Sequence, residues 1–297
     1  NRSGALGDGT TICGRATPAQ VSGLSGIVAV AAGATHSIAL KRDGTLWASG
    51  QNEAGQLVNG TTTQQLTPVQ VSGINGIVAI AAGGGNTVAL KLDGTVWAWG
   101  SNYRGELGDG TKTNRSTPVQ VSGIDRIVAV TAAGGLGRTL AIKDDGTVWA
   151  WGGNEVGEGT RTTPVQMAEI DKALAVAGGA AHSLVLKRDG SIWAWGANSS
   201  SQLGDGAIVM RSAPRKVAGL TGVAAVAGRP GTWALKEDGT VWQWGGWAPY
   251  ENRPVPAPIP GLFGVSAIAG GDVRLALTDD RTVWQWEPTT RTPVLVS

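Results

Sequence analysis

The two histidines of this chain, His36 and His182, are its first candidates for catalysis or metal binding. Both occupy the same place in a repeated phrase, and a serine follows each of them. The equivalent positions in the other four copies hold different side chains: Asn86, Arg138, Gly231 and Val273. A catalytic or metal-binding histidine needs partners at a defined geometry, so we predict a structural hydrogen bond for both histidines.

Six aspartates also recur at one position of the phrase, and a glycine follows five of them. They are Asp43, Asp93, Asp145, Asp189, Asp238 and Asp280. Paired catalytic carboxylates must converge on one substrate, whereas Asp-Gly is a preferred two-residue loop of a β-hairpin. We therefore predict hairpin turns at these positions, with Asp93-Gly94 as the clearest example.

Other motifs that could support chemistry are weak or absent. The segment Leu107–Thr111 and its relative near Asp205 share features with a calcium loop, but they lack the alternating oxygen ligands and the closing glutamate. No Walker loop, Gly-x-Ser-x-Gly elbow or His-Glu-x-x-His motif occurs. We predict no catalytic residue, no metal site and no cofactor.

The composition narrows the function classes further. The net charge is +2, and no cluster of five or more Lys and Arg provides the concentrated basic face that duplex binding needs. No apolar stretch reaches about 18 residues, so we expect no membrane insertion. Cys13 is the single cysteine, which excludes a disulfide within the chain.

The repeated phrase itself predicts the fold. Its aspartates are 50, 52, 44, 49 and 42 residues apart, and a period in this range indicates a repeat architecture. Within residues 66–100, an edge strand with a proline precedes an Ala/Val run, an apolar strand ending in Lys, the Asp-Gly turn and Trp-Ala-Trp-Gly. Four short antiparallel strands per unit predict the blades of an all-β propeller, with the Ala/Val strand closest to its axis.

Tryptophan is concentrated in the last strand of each unit, where eleven of the 13 tryptophans lie. Residues two apart on a strand project from the same face, so we predict that both rings pack against the small Ala/Gly strand of a neighbouring blade. The predicted structural tryptophans are Trp97, Trp99, Trp149, Trp151, Trp193, Trp195, Trp242 and Trp244.

Together these motifs resemble the repeats of the regulator of chromosome condensation family. The matching segments are Ala32–Ser37, Ala39-Leu40, Asp-Gly-Thr, Trp-x-Trp-Gly and Asn102–Gly110. The resemblance implies a β-propeller, usually of seven blades. This chain contains six complete units, so we favour six blades and keep seven as the alternative.

We divide residues 1–297 as a single propeller domain, with 1–16 as a partial leading repeat. The predicted units are approximately 17–65, 66–115, 116–162, 163–212, 213–253 and 254–297. Residues 17–21 and 292–296 each read as a further edge strand, which gives seven edge strands for six sets of the other three.

The loops that depart from the repeat are the predicted binding sites, because Trp, Tyr and Arg are enriched at interface hot spots. They are Arg229, Trp233, Trp247, Tyr250 and Arg253 in the fifth unit, and Tyr103 and Arg104 in the second. The leading hypothesis is a non-enzymatic scaffold that binds another protein through its loops, as an inhibitor or adaptor. The resemblance to bacterial propellers implies secretion, with a cytoplasmic location as the alternative.

Two other functions stay open. One is an enzyme or small-molecule binder with a site at the axial pocket, which would need a ring of inward His, Asp or Glu. The other is the namesake activity of the family, chromatin binding and nucleotide exchange on a small GTPase. That activity would favour a basic tail and specific loop insertions, and the chain has neither.

Overall fold

The computed structural model describes residues 1–12, 17–135, 137–153, 159–228, 231–246, 253–271, 274–286 and 293–296. These residues form 24 β-strands in six four-stranded antiparallel sheets. No helix with the length and apolar character of a membrane span is present among them. The predicted all-β propeller with six blades is confirmed.

Contacts between residues divide the chain into two compact units, and the first of them holds blades 1 to 3. Blade 1 comprises β1 (Ile27–Ala32), β2 (His36–Lys41), β3 (Leu46–Gly50) and β4 (Gln65–Gln70). Blade 2 comprises β5 (Ile77–Ala82), β6 (Asn86–Lys91), β7 (Val96–Gly100) and β8 (Arg115–Gln120). Blade 3 comprises β9 (Ile127–Ala132), β10 (Arg138–Lys143), β11 (Val148–Gly152) and β12 (Arg161–Gln166).

The second unit holds blades 4 to 6. Blade 4 comprises β13 (Ala173–Gly178), β14 (His182–Lys187), β15 (Ile192–Gly196) and β16 (Arg211–Lys216). Blade 5 comprises β17 (Val223–Gly228), β18 (Thr232–Lys236), β19 (Val241–Trp244) and β20 (Ala257–Pro258). Blade 6 comprises β21 (Val265–Ala269), β22 (Arg274–Thr278), β23 (Val283–Trp286) and β24 (Val294–Leu295).

The Asp-Gly turn forms the tight hairpin between the second and third strands of each of the first five blades, as blade 2 illustrates. The Asp93 carboxylate accepts hydrogen bonds from the backbone N–H and the hydroxyl of Thr95, at 3.0 and 2.6 Å. Gly94 has φ = +79°. Glycine adopts this conformation at little energetic cost because it has no side chain. These hydrogen bonds hold the pKa of Asp93 below its usual value, so the aspartate is ionised and engaged in its own turn.

Each edge strand belongs to the preceding blade, and not to the following unit as in the division made from the sequence. That division began each unit with the Pro-containing strand, whereas β4 pairs with β3 and closes blade 1. The chain leaves β3 through the loop 51–64 and returns antiparallel beside it, so the edge strand belongs to the preceding tryptophan strand. The edge strand predicted at residues 17–21 is wrong, because these residues form no strand.

Each blade has two different apolar faces. In blade 2, Val88, Leu90, Val96 and Ala98 lie in one buried cluster together with Trp151 of blade 3. Trp99 lies in a second cluster with residues of blade 1. The buried tryptophan of one blade therefore packs on the aliphatic face of the preceding blade, and its neighbours include branched side chains as well as the small residues that we predicted.

The two tryptophans of a strand are not equivalent. Trp99 and Trp151 are fully buried, at 0% and 1% exposure. Trp97 and Trp149 are half-buried, and a lysine ammonium lies over each ring, 5.6 and 5.8 Å from its centroid. Contact with a lysine at the surface contributes about 0.5–1 kcal/mol, so the second tryptophan supplies most of the cohesion between blades.

This difference predicts unequal effects of two matched substitutions in β11. We expect Trp151→Ala to lower the free energy of unfolding by about 3–5 kcal/mol, because it removes a buried indole and leaves a cavity. Trp149→Ala should cost about 1 kcal/mol, since that ring is partly solvated. Urea unfolding followed by circular dichroism measures both, and equal losses would contradict this assignment of the core.

Candidate functional site

Two of the five predicted binding residues of blade 5, Trp233 and Arg253, lie among the described residues. Trp233 is only 2% exposed and packs against Trp286, with ring centroids 5.0 Å apart. The guanidinium of Arg274 lies 4.3 Å from the Trp233 ring. Trp233 is therefore a core residue, which the irregular sequence around it concealed. Arg253 is half-buried and its carbonyl oxygen accepts a hydrogen bond from the Gly245 N–H.

Three other predicted residues, Arg229, Trp247 and Tyr250, lie outside the described residues. The pair predicted in blade 2 lies at the surface, where Tyr103 is 71% exposed and Arg104 is also exposed. The Glu106 carboxylate accepts a hydrogen bond of 2.7 Å from the Arg104 N–H, and burial raises the pKa of Glu106. The blade 2 pair is thus exposed to solvent.

A more pronounced feature, absent from the sequence predictions, is an apolar loop in blade 4. Ile208, Val209 and Met210 are consecutive and 62%, 59% and 53% exposed. The same loop positions of blade 2 hold Lys112, Thr113 and Asn114. Runs of exposed apolar side chains are uncommon in soluble proteins and mark interaction sites. We call residues 207–210 the apolar loop.

One buried asparagine fixes the backbone of the apolar loop. The amide nitrogen of Asn198 donates hydrogen bonds to Asp205 Oδ1, to the Ala207 carbonyl and to the Val209 carbonyl, at 3.1, 3.0 and 3.2 Å. Its amide oxygen accepts the Leu203 N–H at 3.0 Å. Asn198 is only 1% exposed. The polar backbone is therefore satisfied from inside, while the three side chains remain in solvent.

Both ends of the apolar loop are also held. Arg211 Nε donates to Asp205 Oδ2 at 2.8 Å in a partly buried ion pair. The Gly206 N–H donates to the Pro254 carbonyl at 2.9 Å, so the segment that carries Val255, 52% exposed, lies against this loop. Burial acts to raise the pKa of Asp205, but hydrogen bonds from Arg211 and Ala207 outweigh it and lower the pKa.

The carboxylates of the related loop in blade 2 do not form a free cation site. Asp109 accepts hydrogen bonds from Asn102, Thr111 and Arg115, and the Arg115 ion pair measures 2.7 Å. Among the described residues, no group of three His, Cys, Asp or Glu side chains could hold a metal ion. The acidic residues of these loops thus act as hydrogen-bond acceptors within the loops.

Both histidines lie between blades rather than in a site open to substrate. His36 Nε2 is 3.0 Å from the Thr87 hydroxyl of blade 2, and His182 Nε2 is 2.9 Å from the Thr232 hydroxyl of blade 5. Thr232 donates its proton to the Gln202 carbonyl at 2.7 Å, so its oxygen accepts the Nε2–H of a neutral His182. Burial lowers the pKa of each histidine to about 4.

These buried imidazoles predict a loss of stability in mild acid. The unfolded chain binds a proton near the ordinary pKa of 6.5 and the folded chain only near 4, so stability falls as the pH drops through this window. From pH 7.5 to 4.5 we expect each histidine to contribute a loss of about 2 kcal/mol.

The substitution His182→Asn tests this effect, because Asn86 is the buried residue at the same position of blade 2. Urea unfolding at the two pH values should show about half of the pH-dependent loss remaining, through His36. An unchanged pH dependence in the variant would contradict a neutral buried His182.

Comparison with known proteins agrees with this architecture. Human WBSCR16 superposes with a TM-score of 0.83 at 20% identity, covering 95% of this chain and 84% of that one. Prp20p from Saccharomyces cerevisiae gives a TM-score of 0.79 at 21% identity, covering 91% and 77%. The structure of Kap60 bound to yeast RCC1 (Prp20) gives 0.78 at 22% identity, covering 91% and 75%. No curated protein matches the sequence.

At these identities the structural similarities show the fold alone. The relationship in sequence comes from the family model of the RCC1-like domain, which matches residues 1–286. Since this match spans almost all six blades and includes every motif that first suggested the resemblance, the chain belongs to the RCC1-like domain family.

Proposed function

We propose that this chain is a non-enzymatic binding scaffold whose apolar loop, residues 207–210, contacts a partner protein. The observation that carries the proposal is the exposure of Ile208, Val209 and Met210 on a backbone held by Asn198. Burying these three side chains would remove apolar surface from water, which favours association. Because the loop is already ordered, binding costs less conformational entropy than it would for a mobile segment.

The innermost strands support binding over acid–base catalysis. Within each unit, the first strand of one blade contacts the first strand of the next, as β1 contacts β5 and β17 contacts β21. None of the six first strands contains an ionisable residue. An axial catalytic site would need such groups there, and both histidines are engaged with threonines of neighbouring blades.

The comparisons support protein binding in general terms. The solved structures with this fold include Kap60 bound to yeast RCC1, and the work on Prp20p concerns its binding properties to Gsp1p and histones. At 21–22% identity these partners do not transfer to this chain. We propose only the general property, binding to another protein, and we place it at the apolar loop on the evidence of this chain.

The test replaces the apolar loop by the blade 2 sequence, with Ile208→Lys, Val209→Thr and Met210→Asn in one variant. We expect capture of the cognate protein by the immobilised chain to weaken at least tenfold, because apolar anchors of an interface contribute about 1–2 kcal/mol each. The free energy of unfolding should change little, since all three side chains are exposed. Quantitative affinity capture followed by mass spectrometry measures the effect.

Leu92→Arg is the matched control, because Leu92 is an isolated apolar residue, 82% exposed, in a hairpin turn. Blades 1 and 4 already carry Arg42 and Arg188 at this turn position. The control should retain every partner. Equal partner profiles for the wild type and the triple variant would exclude the apolar loop as the binding site.

A further inference from the structure

Blade 1 lacks a buried tryptophan at the position where each of the other five blades has one. In β3, Ser49 pairs with Ser37, just as Trp99 pairs with Thr87 and Trp151 pairs with Thr139. Ser49 is therefore the residue at the position of the buried indole. It is 4% exposed, so this position is buried although the ring is missing.

The loop that would receive the ring is nevertheless present. Residues 1–9, Asn-Arg-Ser-Gly-Ala-Leu-Gly-Asp-Gly, repeat the pattern of Asn102–Gly110. Asn1 donates to Asp8 and to the Thr10 carbonyl and accepts the Leu6 N–H, as Asn102 does in its own loop. The loop is thus folded in the conformation that binds an indole in the other blades.

The acceptor for an indole N–H is also in place. Trp99 donates to the Gln56 carbonyl at 2.9 Å, Trp151 to Glu106 at 2.9 Å and Trp244 to Gln202 at 3.1 Å. The equivalent carbonyl is that of Ala5, and Ser49 Oγ reaches it only at 3.3 Å. A short hydroxyl has replaced the ring without filling its volume.

A cavity of about 260 Å³ occupies the space beside Ser49. Its walls are mainly aliphatic and aromatic, including Leu6, Val30, Ala39 and Trp47. Leu6 and Val30 at its rim are 46% and 76% exposed, so a ligand can enter from solvent. An engineered apolar cavity of about 150 Å³ is sufficient to bind benzene, and this one is larger.

We propose that this cavity binds a small planar aromatic molecule with one N–H donor, of the size and chemistry of indole. The ring lies between Trp47 and the aliphatic walls, and its N–H donates to the Ala5 carbonyl. Trp47 is among the residues that line this cavity. The inference uses blade 1 alone and does not depend on the proposed protein-binding function.

The experiment titrates indole into the ¹⁵N-labelled wild-type chain. We expect chemical-shift changes centred on Ala5, Leu6, Val30 and Ser49, with a dissociation constant between about 10 μM and 1 mM for a ligand of this size. 1-Methylindole should bind about fivefold more weakly, because it fills the cavity but cannot donate to Ala5. Shift changes that are absent or scattered over the blades would overturn the proposal.

Two variants test the location of the site. Ser49→Trp restores the side chain of the other blades and should abolish indole binding while raising the unfolding temperature. Ser49→Leu fills part of the cavity with a smaller side chain and should weaken indole binding at least tenfold. This variant provides the test if the tryptophan variant fails to fold. Indole binding of wild-type strength in either folded variant would overturn the assignment.

Discussion

The packing of a buried indole against the preceding blade is the interaction on which this architecture depends, and in blades 2, 3 and 5 the indole N–H also donates to a loop carbonyl of that blade. In blade 2, the Glu106 carbonyl accepts both Trp151 Nε1 and the Thr139 hydroxyl of blade 3. In blade 4, the Gln202 carbonyl accepts Trp244 Nε1 and the Thr232 hydroxyl of blade 5. One buried carbonyl thus satisfies two donors of the next sheet, which fixes the distance and the register between blades while the indole fills the core.

This contact divides each loop into two parts with different constraints. The inner part contains the asparagine, the leucine and the carbonyl that receives the indole, and its geometry is the same in loops that begin at Asn52, Asn102 and Asn198. The outer part only has to present its backbone carbonyls to the asparagine. It therefore accepts Lys112 and Thr113 in blade 2 and Ile208 and Val209 in blade 4 with the same backbone contacts. Function can change on the outer part without loss of the fold.

The sequence predicted the strands, the hairpin turns and the six blades, because each depends on local patterns that recur. It placed the Pro-containing edge strand in the following blade, whereas this strand pairs with the preceding one across a long loop. That pairing depends on tertiary contacts, which the proline does not indicate. Trp233 looked like a loop residue for a related reason: its partners, Trp286 and Arg274, are distant in sequence. The apolar loop was not predicted, because Ile208, Val209 and Met210 resemble a strand in the sequence. The hydrogen bonds from Asn198 to the backbone carbonyls of this loop are apparent only in the structure.

Backbone strain in blade 1 shows that the contact between blades determines the loop conformation. Gly108 has φ = +66°, and a Cβ there would lie 2.8 Å from Trp151 Nε1, so both the backbone and the ring favour glycine. Blade 1 carries Val58 at this position, with φ = +48°, although a β-branched residue is strongly disfavoured in that region. Such strain costs about 1–3 kcal/mol. Val58 is 3% exposed and packs in one cluster with Leu57 and Trp99, and this burial offsets the strain. The loop therefore keeps the geometry that its neighbour's indole requires, even where its own residue would favour another.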